Sequence, residues 1–119
     1  MRVATAFVAV FLVAGCGVPE EPSKQAEAVG SVAAEGALLA HDAREGSTTA
    51  TFTREHAKAL RKLVEEIRPE IVDRRLGQVA TLVSDALEQL AEAPGDRTRA
   101  SALEQELNKA ARAAQERAG

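Results

Sequence analysis

One cysteine and two histidines are the side chains here best suited to nucleophilic or metal chemistry: Cys16, His41 and His56. A single cysteine forms no internal disulfide, so its thiol needs another use. An imidazole with a neighbouring carboxylate is a donor set for zinc or copper, and His41 and His56 have Asp42, Glu45 and Glu55 close by in sequence. The connection between the two histidines could bring them to one end of the fold. Their spacing matches no compact metal motif, and histidines exposed at helix ends are the simpler account of both. Phosphate-loop and dinucleotide fingerprints are absent. Ser84, Ser101 and the threonines have no base partner in the pattern, and a catalytic site needs such a constellation. The expectation is a protein that is not an enzyme and needs no cofactor, with His41 and His56 as its only metal candidates.

Cys16 closes a segment of its own. Arg2 gives a positive start, and Val3 to Ala14 form an apolar stretch with Thr5 as its one polar member. A membrane-crossing helix needs about 20 apolar residues, so this stretch fits the apolar part of a signal peptide instead. It ends Leu12-Val13-Ala14-Gly15-Cys16. This resembles the lipobox of bacterial lipoproteins, in which an apolar residue and two small ones precede a cysteine. The resemblance covers the leader only. It implies a diacylglycerol joined to the Cys16 sulfur and cleavage between Gly15 and Cys16. In many bacteria a further acyl chain of the palmitate kind is added to the new amino group. It also implies a location outside the cytoplasm, lipid-anchored to the inner or outer membrane of the cell envelope.

The chain carries 15 basic and 18 acidic residues, a formal charge of −3. Loss of Arg2 with the leader makes this −4. That balance argues against nucleic acid as a partner. Arg54, Lys58, Arg61 and Lys62 nevertheless share one helical side, at i, i+4, i+7 and i+8. Near a membrane such a stripe could meet anionic headgroups, adding about 1 kcal/mol per residue. As an ordinary solvated face it would add only about 0.2–0.5 kcal/mol per ion pair, Lys62 with Glu66 for example.

These groups must be positioned by helices. Residues 16–23 hold the cysteine and then a Pro- and Glu-containing stretch that reads as an extended tether. At about 3.3 Å per residue it would set the body up to roughly 25 Å from its anchor. Ser23 can cap a first helix. Val29, Val32, Gly36, Leu39 and Ala43 then step by 3, 4, 3 and 4 along one helical face. Gly36, on that face, predicts close approach of a neighbouring backbone, and Gly30 local looseness. Gly46 is a stop. Thr53 can cap the next helix, with Phe52 as a staple. Leu60, Val64, Ile67 and Ile71 form one series, and Val72, Leu76, Val79, Val83, Ala86 and Leu90 a second, offset by one residue beside Pro69. Pro94 and Gly95 end it. Asp96 or Thr98 caps a last helix whose face is Leu103, Leu107, Ala110 or Ala111, and Ala114.

The reading is all-α: a signal peptide over residues 1–15, lipidated cysteine and tether over 16–23, and a small antiparallel bundle over 24–119. It has three helices if Pro69 only kinks the second, and four if it breaks it. Only Phe52 is aromatic beyond the leader, so the core must be built from Leu, Val, Ile and Ala. The functional expectation is a membrane-anchored envelope protein that binds another protein, supports an assembly or self-associates. The alternative is a small-ligand or metal-binding module at the membrane surface.

Overall fold

Pro69 ends a helix here and does not merely bend it. The computed structural model, which describes residues 18–119, contains four α-helices: α1 Pro22–Glu45, α2 Ala50–Ile67, α3 Arg74–Glu92 and α4 Arg97–Ala118. One turn of 3-10 helix, Arg68–Glu70, follows α2. Pro69 has no N–H to continue the α pattern. The chain closes the turn with Ile71 N–H donating to the Arg68 carbonyl at 3.1 Å and leaves in an extended conformation. The two offset apolar series therefore lie on separate helices. Leu60, Val64 and Ile67 are buried on α2, and Leu76, Val79, Val83, Ala86 and Leu90 on α3. At the junction the series fail: Ile71 is half-buried, and Val72 is 91% exposed.

Local chemistry sets the other ends. α1 begins at Pro22, inside the stretch read as tether, because proline at the first helical position has its φ already in place and loses no needed donor. Ser23 is therefore within the helix, and Glu21 precedes it without a side-chain cap. Gly46 ends α1 at φ 74. Its N–H donates to the Ala43 carbonyl, and that of Ser47 to the Asp42 carbonyl, the paired closure that favours glycine. A Cβ on Gly46 would also collide with the Arg97 guanidinium. α2 starts a turn earlier than Thr53, because the Thr49 hydroxyl accepts from Phe52 N–H at 3.0 Å. Thr53 is instead buried, its hydroxyl donating to the Thr49 carbonyl at 2.9 Å. Phe52 is no staple, being 54% exposed with its ring edge-on to His56. Asp73 caps α3, accepting from Arg75 N–H at 2.9 Å. Asp96 caps α4, accepting from Arg99 N–H at 3.0 Å.

The helices run up, down, up and down. Gly30 lies beside Ala114 while Gly46 lies beside Arg97, so α1 and α4 are antiparallel. Arg61 meets Ser84 between α2 and α3. Asp73–Arg117 and Gln89–Arg99 close the two ends of the α3–α4 pair. α1 touches all three partners and packs most extensively on α4. This explains its second buried row, Ala26, Ala33, Ala37 and Ala40, beside the Val29–Val32–Leu39 row. The glycines divide differently from the sequence reading. Gly36 faces leucine side chains, since a Cβ there would lie 3.0 Å from Leu87 and 3.3 Å from Leu107. Gly30 is the one beside a backbone, its Cβ position 3.8 Å from the Ala111 carbonyl oxygen. No helix among the described residues is long and apolar enough to cross a membrane.

Candidate functional site

At the end of the bundle where the chain enters, one buried amide joins two segments. Gln25 is 2% exposed, and its Nε2 donates to the Pro19 carbonyl at 3.1 Å and to the Glu70 carbonyl at 2.9 Å. Both amide protons are used, so the side chain is satisfied in a place where an unpaired amide would be costly. The chain entering α1 is thereby fixed to the turn between α2 and α3. Sequence reasoning missed this clamp, although a signal existed. Gln25 stands four residues before Val29 and so continues the apolar series as a polar member. The lipidation and cleavage residues, Cys16 and Gly15, lie outside the described residues.

The structure does not unite the two histidines. His41 sits at the α1–α4 interface, with Nδ1 3.2 Å from Glu104 Oε2 and 2.9 Å from Arg44 Nη2. Arg44 is always charged, so neutral His41 accepts from it at Nδ1; a protonated ring would instead donate to Glu104. His56 sits at the α1–α2 interface, with Nε2 3.4 Å from Glu35. Among the described residues, no three His, Cys, Asp or Glu side chains gather as a metal-ligand set.

The basic stripe faces acids on α3 that the sequence pattern did not disclose. Arg54, Lys58 and Arg61 border an open hollow of about 240 Å³ with Glu88, Ala91 and Glu92. Arg61 Nε donates to Ser84 Oγ at 3.1 Å, and its Nη2 lies 3.6 Å from Glu88. Ser84 donates in turn to Glu65, which also accepts from Arg68 at 2.8 Å. Lys58 lies 3.8 Å from Glu55, and Lys62 is exposed. Ser84 is fully buried within this α2–α3 network, its hydroxyl accepting from Arg61 and donating to Glu65. A groove of about 370 Å³ lies between α1 and α4, with Gly30, Ser31, Ala34, Ala111 and Gln115 among its lining residues.

Two carboxylates are held below their ordinary values. For Asp73 (ordinarily 3.8) the hydrogen bonds from Arg117 dominate, and those from the Leu76 and Arg75 N–H groups add to them against partial desolvation. For Glu104 (ordinarily 4.5) burial pushes upward, but hydrogen bonds from Arg44 and His41 together outweigh it. Groups with lowered folded values bind protons less readily than in the unfolded chain. The stability they add is complete above the ordinary values and disappears as pH falls through the lowered ones. Thermal unfolding followed by circular dichroism is therefore expected to change little through these groups between pH 7 and about 5, and to weaken below that. Combining Asp73→Asn with Glu104→Gln should flatten part of the acid loss. An equally steep fall in the double variant would contradict these assignments.

No family model, curated protein or solved structure matches this chain.

Proposed function

We propose that the chain is a lipoprotein of the bacterial cell envelope whose helical body is a non-catalytic interaction or structural module. The observation that carries this reading is the leader: Arg2, the short apolar run, and Leu12-Val13-Ala14-Gly15-Cys16. The body adds support of a different kind. Its buried polar side chains are spent on backbone carbonyls (Gln25, Thr53) and on half-buried Arg61 and Glu65 (Ser84). Among the described residues no buried side-chain nitrogen or oxygen lacks a partner. Polar groups committed in this way position helices, whereas a reacting site keeps some of its polar capacity for substrate. The surface presents Leu38, Phe52 and Leu82 to solvent on three different helices; scattered singly they are ordinary surface, and they serve as positions from which a partner can be trapped. The groove along α1 and α4 gives the second reading its one support, because its volume lies within the range of small-ligand sites, about 300–1,000 Å³.

Photo-crosslinking in intact cells from positions 38, 52 and 82 separates the two. The expected result is a discrete heavier adduct from at least one position, retained when the leader and Cys16 are native. Only monomer from all three positions, with a small molecule co-purifying in the α1–α4 groove, would favour the ligand-binding reading.

A further inference from the structure

The clamp at Gln25 changes how far the body can stand from its anchor. Pro19 is tied to the bundle through its carbonyl, and only Gly17 and Val18 separate it from Cys16. Three residue steps reach about 10 Å at most, not the longer leash that a free tether through residue 23 would give. The same amide holds the Glu70 carbonyl, so the 71–73 turn lies beside the point where the chain enters. That turn carries Val72, at 91% the most exposed of the large apolar side chains among the described residues. Half-buried Ile71 precedes it, and exposed Arg74 and Arg75 follow.

Resting on the lipoprotein reading, we infer that this end of the bundle is a second membrane contact, with Val72 seated in the headgroup layer beside the lipidated cysteine. A valine this exposed next to Ile71 gains by leaving water, and the short link delivers it to the interface without a search. The charges at this end are mixed. Arg68, Arg117 and Lys24 are engaged by Glu65, Asp73 and Glu27. Arg74 and Arg75 have no ion pair among the described residues, but Glu20, Glu21 and Glu70 are exposed nearby. The contact is therefore apolar in origin and should survive high salt, unlike one made by a basic patch. The arrangement also carries the far end of the Arg54–Lys62 stripe away from the headgroups. α2 ends at the clamp, so at about 1.5 Å per residue Arg54 stands roughly 20 Å farther out than Ile67, and Lys62 roughly 8 Å.

The test uses the full, lipidated protein in vesicles of phosphatidylethanolamine and phosphatidylglycerol. If Cys16 is a thioether, wild type takes up no thiol-reactive probe, and Val72→Cys takes up one. A polarity-sensitive fluorophore at 72 is expected to shift to the blue, be quenched by lipid-borne quenchers, and resist a soluble quencher severalfold better than the same probe on Gly95→Cys. Gly95 is exposed in the loop between α3 and α4, with open space around it. This difference should persist in high salt. Equal access of the soluble quencher to both positions, with wild type unlabelled, overturns the second contact and leaves the lipoprotein reading standing. Probe uptake by wild type at Cys16 overturns both.

Discussion

Leu107→Ala is expected to lower the unfolding free energy by about 2–5 kcal/mol. A domain of this kind has about 5–15 kcal/mol in total, so the variant should be partly unfolded well below the wild-type transition. Leu107 is fully buried on α4 and projects into the space left by Gly36 on α1. Among the described residues no buried aromatic is present to refill the hole; the core is leucine, valine, isoleucine and alanine. The converse substitution, Gly36→Val, overpacks the same space. Its Cβ would start 3.0 Å from Leu87 and 3.3 Å from Leu107, and forcing carbon into a filled core costs about 1–3 kcal/mol. The two positions should therefore couple. Gly36→Ala gains about 1 kcal/mol of helix propensity, and more of that gain should appear once Leu107 is Ala. Urea unfolding measures this, with the midpoint shifting and the slope held. Leu38→Ala, at a half-exposed position on the same helix, is the control and should stay within about 0.5 kcal/mol. A loss below about 1 kcal/mol for Leu107→Ala would mean that the α1–α4 seam is not packed as described.

Much of this core was legible because leucine and valine at helical spacing have one physical use. Leu60–Val64–Ile67 and Leu76–Val79–Val83 declared their faces, and the missing N–H of Pro69 marked the break between them. Alanine does not declare itself. Ala26, Ala33, Ala37 and Ala40 have the same side chain as alanines on a solvated face, so the central position of α1 was hidden. Thr49 and Thr53 offer the same hydroxyl one turn apart, and only the backbone path decides which one caps. The clamp was less visible still. Gln25 extends an apolar series with a polar member, but its meaning depends on Pro19 and Glu70 meeting in space. The same holds for His41 with Glu104 and His56 with Glu35, each joined across helices far apart in sequence.

Cys16→Ser is expected to abolish lipid attachment. A serine hydroxyl is a far weaker nucleophile than a thiol, so no link to the glyceride forms, and the leader should remain uncut. The size of the effect follows from chain number. Each buried methylene contributes about 0.8 kcal/mol; one acyl chain binds a membrane marginally, while two hold it stably. Removing both leaves the uncut leader, whose apolar stretch is too short to span a bilayer, and the contact at Val72. Labelled fatty acid should enter the wild-type protein and not the serine variant. Equal labelling of the variant would place the lipid on another residue and defeat the reading of the leader.

The most direct test is mass spectrometry of the tryptic N-terminal peptide from protein isolated out of its own membrane. Lys24 is the first basic residue after Arg2, so the mature form should yield a peptide of residues 16–24 carrying a diacylglycerol thioether on its first residue. A peptide running from Val3 to Lys24, or one beginning at Cys16 with an unmodified thiol, would contradict the account.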